Sequence, residues 1–124
     1  MILLDTSVWI DHLRQGDAQV AAVLQSGQAL VHPFVIGELA CGPLKLRGEV
    51  LGLLAALPRA RVAEEQEVLF FIERHRLMGR EIGYVDAHLL AATALTAGAR
   101  LLTRDRRLAA LARELELAHV KSAH

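Results

Sequence analysis

Met1-Ile2-Leu3-Leu4-Asp5 opens this chain of 124 residues with a short apolar run that stops at an acid. Such a run is typical of a strand that is buried on both faces, as in a parallel sheet covered by helices. A second apolar run, Arg100–Leu102, leads into Thr103-Arg104-Asp105. Because parallel strands end at one edge of a sheet, we expect Asp5 and Asp105 to lie at the edge where such sheets bind ligands.

Short apolar strands alternate with helical segments along the rest of the chain, which predicts an α/β fold in one domain, residues 1–124. A short parallel sheet of about five strands, flanked by helices, is expected. The predicted strands are Ile2–Leu4, Ala29–His32, Arg59–Ala63, Arg100–Leu102 and His119–Val120. The predicted helices begin near Trp9, with Thr6 or Ser7 as cap, and then cover Ala18–Gln25, Phe34–Cys41, Leu44–Leu57, Glu64–Met78, Val85–Ala97 and Arg106–Leu117.

Two further carboxylates, Glu38 and Asp86, stand alone in stretches rich in apolar residues. A carboxylate in such a place is costly unless it is paired or bound to a metal. Together with Asp5 and Asp105, these acids predict a cation site at the carboxyl edge of the sheet. The set contains no Cys or His, which argues against zinc and favours a hard ion such as Mg²⁺ or Mn²⁺.

Each acid also has an ordinary structural explanation. Asp5, Asp86 and Asp105 suit the N-terminal ends of helices, and Glu38 suits an ion pair with a buried arginine. For any one acid this alternative stays open. If all four are gathered, repulsion matters: two carboxylates about 5 Å apart at an effective dielectric near 20 repel by roughly 3 kcal/mol. Asp5→Asn or Asp86→Asn is therefore expected to stabilise the metal-free protein.

Composition limits the function classes. The net charge is zero, so nucleic acid would be bound through local patches rather than by an overall field. Aromatic residues make up 4% of the chain, which argues against a stacking-based binder of single strands, and they are expected in the core or an interface. The single cysteine, Cys41, is expected in the core and fits a reducing cytoplasm. No leader or membrane span is predicted.

Four segments, in chain order, resemble the motifs of PIN-domain ribonucleases. The run Leu3-Leu4-Asp5-Thr6-Ser7-Val8-Trp9-Ile10 is similar to their opening, and Ile36-Gly37-Glu38-Leu39 to their helix-borne acid. The run Val85-Asp86-Ala87-His88-Leu89-Leu90-Ala91-Ala92-Thr93-Ala94 is similar to the segment with the third acid, and Thr103-Arg104-Asp105 to the closing Thr-x-Asp. The motifs span nearly the whole chain, whose size is similar to that of VapC, the toxin half of VapBC pairs.

The resemblance implies a PIN-like three-layer sandwich and a metal-dependent endoribonuclease, the toxin of a type II toxin–antitoxin pair. It implies Mg²⁺ or Mn²⁺ as cofactor and structured RNA as substrate, such as transfer or ribosomal RNA, cut to leave a 5′-phosphate and a 3′-hydroxyl. It also implies a cytoplasmic homodimer, a cognate antitoxin that covers the acidic site, and promoter DNA bound only through the toxin–antitoxin complex.

The same resemblance assigns roles. Asp5 and Asp86 are the principal metal ligands, Asp105 completes the site directly or through water, and Glu38 holds a second metal or orients the attacking water. His88 is expected to point elsewhere. The hydroxyls expected to position carboxylates or phosphate are those of Thr6, Ser7 and Thr103. The arginines that suit RNA phosphates, or else form a solvated helix face, are Arg104, Arg106 and Arg107.

Other classes of protein fit less well. A phosphatase of the haloacid dehalogenase type needs Asp-x-Asp after its first strand, where this chain has Ser7. A response-regulator receiver needs an Asp after its third strand, and Arg59–Ala63 supplies none. The alternative that stays open is a non-catalytic PIN fold that binds RNA or protein. Metal binding and activity would separate that alternative from the enzyme.

Overall fold

The computed structural model describes residues 1–120, and within them the chain forms three strands and seven helices. The strands are β1 (Ile2–Leu4), β2 (Ala29–Leu30) and β3 (Arg100–Leu102). The helices are α1 (Thr6–Gln15), α2 (Ala18–Gln25), α3 (Pro33–Ala40), α4 (Arg47–Ala56), α5 (Glu65–His75), α6 (Tyr84–Leu95) and α7 (Arg106–Glu114). The predicted α/β class is confirmed.

The sheet is parallel, with β1 in the centre and the strand order β2-β1-β3. Single parallel bridges extend it at both edges, from Val31 to Arg59 and from Leu101 to Ala118. The predicted strand Arg59–Ala63 is therefore reduced to the bridging residue Arg59, and the bridge near the predicted strand His119–Val120 lies at Ala118, one residue earlier. Both lie at an edge of the sheet, where strands in natural proteins are commonly short.

The helices form two groups on opposite faces of the sheet. The chain moves outward in one direction from β1 through β2 to Arg59, and then crosses back to β3 and Ala118. Right-handed crossovers consequently place α1 to α4 on one face and α5 to α7 on the other. The observed packing of α1 on α3, α3 on α4, and α5 on α6 agrees with this division. The strand order reverses between β1 and β3, so the crevice expected in such a fold opens at their carboxyl ends.

Side chains at the strand ends begin the helices. The carboxylate of Asp5 accepts the N–H of Thr6 at 2.7 Å, so the helix cap is Asp5 and the predicted cap at Thr6 or Ser7 is wrong. His32 caps α3 through Nδ1, which accepts the N–H of Phe34 at 3.0 Å. Asp105 caps α7 by accepting the N–H of Leu108 at 2.9 Å. Each strand therefore passes into its helix through a polar residue at the carboxyl edge.

The core lies between the sheet and the two helix groups. Trp9 is buried, as predicted, whereas Cys41 is exposed at the end of α3, which corrects its predicted place in the core. Cys41 lies outside because the helix ends there, before Gly42 and Pro43. The largest fully buried aliphatic side chains are those of Leu3, Leu4, Leu54, Leu89, Leu90, Leu101, Leu108 and Leu111. Within residues 1–120 no helix is long and apolar enough to cross a membrane.

His32 makes the free energy of unfolding depend on pH. Its side chain is fully buried, and burial, with a contribution from the positive charges of His88 and Arg59, lowers its pKa from 6.5 to about 4. Between these values the unfolded chain binds a proton that the folded chain does not. We therefore expect stability to be complete above pH 6.5 and to fall by up to about 3 kcal/mol as the pH drops to 4.

Urea unfolding at pH 7, 5.5 and 4.5 measures this slope. The His32→Asn variant offers an acceptor to the N–H of Phe34 but does not titrate, so its slope in this range should be shallower than that of the wild type. Equal slopes in the two proteins would contradict the prediction.

Candidate functional site

The carboxylate of Asp5 is held by three hydrogen bonds at the end of β1. Its Oδ1 accepts the N–H of Thr6 at 2.7 Å, and its Oδ2 accepts the hydroxyls of Ser7 at 3.0 Å and Thr103 at 2.6 Å. Thr103 directly follows β3, so the last of these bonds joins the carboxyl ends of the two paired strands. Asp5 is buried, and these donors replace the water that its carboxylate gives up.

Glu38 reaches the same place from α3. Its Oε1 accepts the hydroxyl of Thr6 at 2.7 Å, and Thr6 is the residue whose N–H binds Asp5. The two carboxylates are therefore linked through one threonine. The alternative considered for Glu38, an ion pair with a buried arginine, is absent among residues 1–120.

Asp86 lies in the first turn of α6, where its Oδ2 accepts the N–H of Gly83 at 3.2 Å. Burial raises the pKa of this carboxyl, and the negative charges of Asp5, Asp105 and Glu38 raise it further, against the lowering effect of the bond from Gly83. The other three predicted acids thus all lie close enough to Asp86 for their charges to act on it, as expected for a single site.

Asp105 closes the group from the β3–α7 junction. Its N–H donates to the hydroxyl of Thr103 at 3.1 Å, and Thr103 in turn donates to Asp5. The N–H of Arg104 donates to the hydroxyl of Ser7 at 3.0 Å, and Ser7 also donates to Asp5. The backbone around Asp105 is consequently bonded to Asp5 through two hydroxyl groups.

The four acids differ in exposure, and none has a basic partner in the described part of the chain. Asp5 is buried and Asp86 half-buried, whereas Glu38 and Asp105 are exposed, so the predicted cost of burial applies to only two of them. Among residues 1–120, no side-chain nitrogen of Lys, Arg or His lies within 4 Å of a carboxylate oxygen of any of the four. No basic side chain of the described residues therefore offsets the negative charge of this cluster.

The donor set fits a hard divalent ion, since it consists of carboxylate oxygens supplemented by hydroxyls. Among residues 1–120, however, no three acidic, His or Cys side chains are already close enough together to enclose an ion. Mg²⁺ is one hard ion that such donors could hold, because it keeps several waters and uses one or two carboxylates.

Two of the three predicted phosphate-binding arginines are engaged with acids. Arg104 forms an ion pair with Asp17 and approaches Asp11 at 3.9 Å. The hydrogen bond from Arg104 is the main cause that lowers the pKa of Asp17. Arg107 pairs with Glu81 at 2.9 Å, and Arg106 has no ion pair within residues 1–120. Of the three, Arg106 alone is available to a phosphate without breaking a pair.

His88 is buried in an aromatic cluster that the sequence did not predict. Its ring meets those of Phe34 and Tyr84, each at 4.6 Å between centroids and nearly edge to face. Helical spacing was an available signal, because Tyr84 and His88 are four residues apart on α6 and share a face. The contact of His88 with Phe34 joins α6 to α3, and no short stretch of sequence could predict it.

Known proteins are similar to this chain over the segments that carry all four acids. The PIN domain family matches residues 2–114, which include all four acids. This chain belongs to the PIN-domain family. Two proteins named Ribonuclease VapC32, from Mycobacterium tuberculosis strains CDC 1551 / Oshkosh and ATCC 25618 / H37Rv, are each 53% identical to it over 114 residues, 92% of either length. The PIN fold and VapC-type resemblance predicted from the motifs are therefore confirmed.

The PIN-domain site predicts different effects for two similar substitutions. In Asp86→Asn, the amide oxygen can still accept the N–H of Gly83. The substitution removes the negative charge of residue 86, which the charges of the other three acids repel. We expect this variant to be more stable than the wild type without metal by about 1 kcal/mol, a fraction of the repulsion of a close carboxylate pair. Asp5→Asn also loses a charge, but its amide nitrogen cannot accept the hydroxyls of Ser7 and Thr103, so no gain is expected.

Urea unfolding in EDTA at pH 7 measures both free energies. Asp11→Asn serves as the control, because Asp11 lies outside the cluster. The structure thus revises the earlier expectation that both substitutions stabilise the metal-free protein. A destabilised Asp86→Asn protein would show that its charge is not opposed by the other acids.

Proposed function

We propose that this protein is a metal-dependent endoribonuclease of the VapC type and acts as the toxin of a type II toxin–antitoxin pair. The observation that carries the proposal is the meeting of four carboxylates at one sheet edge with no basic partner among residues 1–120. The relatives that share 53% of the matched residues bear the name ribonuclease, which supports the same reaction class.

In the proposed site, Asp5 and Asp86 are the principal ligands of Mg²⁺ or Mn²⁺, and Asp105 completes the site directly or through water. Such an ion lowers the pKa of bound water and offsets charge that develops on the phosphate. Ser7 and Thr103 fix the orientation of the Asp5 carboxylate by donating to its Oδ2. Ordered acceptors of this kind reduce the rearrangement needed when the substrate binds.

Glu38 is proposed to orient the attacking water or to hold a second ion. It is exposed, and one of its oxygens is held by Thr6, so the carboxylate is positioned from the same residue that binds Asp5. Cleavage would leave a 5′-phosphate and a 3′-hydroxyl. The proposed substrates are structured RNAs, either transfer or ribosomal RNA.

The proposed partners follow from the same assignment. A cognate antitoxin would cover the acidic site and complement its negative charge with a basic side chain. The pair would bind promoter DNA, whereas the neutral toxin alone would not. A homodimer and a cytoplasmic location complete the proposal. A short reading frame beside the gene, whose product binds this protein and blocks cleavage, would support the antitoxin assignment.

Cleavage of total cellular RNA tests the activity. With Mg²⁺ or Mn²⁺ the purified protein should give discrete fragments, and EDTA should abolish them. Asp5→Asn and Asp86→Asn should each lower the rate by about a hundredfold or more, since both remove proposed metal ligands. Asp11→Asn, the matched change outside the cluster, should cleave as fast as the wild type. Fragments that persist in both site variants would indicate a contaminating nuclease and contradict the proposal.

Metal binding is measured separately by thermal unfolding. An ion that binds only the folded protein adds about 2.7 kcal/mol at a hundred times its Kd, which raises the Tm of a domain of this size by several degrees. We expect this shift with Mg²⁺ or Mn²⁺ in the wild type and Asp11→Asn, and a smaller one in Asp86→Asn. A shift of equal size in all three proteins would place the ion elsewhere.

A further inference from the structure

Phe34, Tyr84 and His88 form an aromatic platform beside the acidic site, and the proposed chemistry does not use it. The ring of His88 is buried and contacts both other rings edge to face, at 4.6 Å each. Behind it lies His32, whose ring is 5.0 Å from Phe34 and 6.3 Å from His88. Two exposed rings are thus neighbours because both pack on one buried ring.

The platform and the acids share the same two helices. Phe34 is one turn before Glu38 on α3, and Tyr84 is two residues before Asp86 on α6. Both aromatic residues lie in first turns, and both helices begin at the carboxyl edge of the sheet. A ligand that extends from the acidic site toward the starts of these two helices would therefore approach the two rings.

Exposure distinguishes the platform from the core. Phe34 is 37% exposed and Tyr84 48% exposed, whereas His88 is only 5% exposed. The rings present surface to solvent while their inner edges are fixed by His88. Such fixed and partly open rings suit stacking, because little side-chain freedom is lost when a base is added.

A cation stands close to the platform as well. Arg59 forms a parallel bridge with Val31 at the sheet edge, and Val31 directly precedes His32 in the chain. Arg59 is exposed and has no carboxylate within 4 Å among residues 1–120. Aromatic faces next to an available guanidinium match the two parts of a nucleotide, its base and its phosphate.

We propose that Phe34 and Tyr84 stack the base of an unpaired nucleotide next to the phosphate held at the acidic site, with Arg59 contacting the neighbouring phosphate. This subsite rests on the proposed ribonuclease function and adds to it a preference for RNA loops or single strands. Bases in duplexes are already stacked, so their faces are unavailable to such rings. The platform thus selects substrates in which the base beside the cut is free.

The test uses a synthetic RNA that spans a cut mapped in total cellular RNA, with Mn²⁺ and the full-length protein. Phe34→Leu and Tyr84→Leu should each raise KM about tenfold, the scale of one lost base stack, and change kcat less than about threefold. Tyr84→Phe keeps the ring and should match the wild type. Phe70→Leu is the matched control, because Phe70 is an exposed ring on α5, away from the acidic site.

Abasic substitutions in the RNA separate stacking from a general loss of affinity. At one position beside the cut, removal of the base should raise KM for the wild type but cause no further increase for Phe34→Leu or Tyr84→Leu. Penalties that multiply at every position would overturn the proposal, as would wild-type KM in both Leu variants. If the Leu variants instead lose only binding to a protein partner, the platform is a protein contact and the proposal is also overturned.

Two further outcomes are distinguishable. Tyr84 is about half exposed, so Tyr84→Leu decides the matter if Phe34→Leu fails to fold. Absence of metal-dependent cleavage by the wild type would overturn the ribonuclease assignment and this subsite together, whereas cleavage with unchanged KM in the variants would overturn the subsite alone.

Discussion

The carboxylate of Asp5 is the constraint on which both the sheet and the acidic site depend. The backbone N–H of Asp5 donates to the carbonyl of Leu102 and so pairs the central strand with β3. The side chain of Asp5 accepts the N–H of Thr6, where α1 begins, and the hydroxyl of Thr103 at the end of the neighbouring strand. Loss of that carboxylate would leave two hydroxyls without their acceptor in a half-buried place. Replacing Asp5 would thus change both the stability of the fold and the charge of the site. The hydrogen bonds to its carboxylate explain how an acid is tolerated there despite burial.

Helix capping and the acidic cluster are two uses of the same residues. Asp5 and Asp105 each accept an N–H at a helix start, and Asp86 accepts one in the first turn of α6. The positive N-terminal ends of α1, α6 and α7 therefore stabilise the same three carboxylates that would bind a metal ion in the proposed site. For Asp5, Asp86 and Asp105 the local explanation at a helix start therefore holds, and it reduces the cost of placing these charges together. The raised pKa of Asp86 shows that this compensation is incomplete where burial and three negative neighbours act together.

Much of the fold could be predicted from the sequence because the local pattern of apolar and polar residues indicates which side chains are buried. The strands Ile2–Leu4 and Arg100–Leu102 and the helix Ala18–Gln25 have the predicted bounds. The edge strands could not be sized, since their length depends on neighbours that a local pattern does not record. The convergence of the acids followed from the rule for parallel strand ends. The ion pairs of Arg104 and Arg107 did not, because a long flexible side chain finds partners that only the folded surface brings near.

These ion pairs affect how the proposed ribonuclease would recognise RNA. The protein has no net charge, and two of the three arginines beside Asp105 are already neutralised by acids. Of these three arginines only Arg106, which has no ion pair within residues 1–120, is free to displace counterions of RNA, so electrostatic attraction next to Asp105 would contribute little to affinity. In the proposed enzyme, binding energy would then come from an ion at the carboxylates and from contacts with the bases themselves. A neutral surface with ordered acids and the proposed aromatic platform would therefore favour discrimination among RNAs over tight binding to all of them.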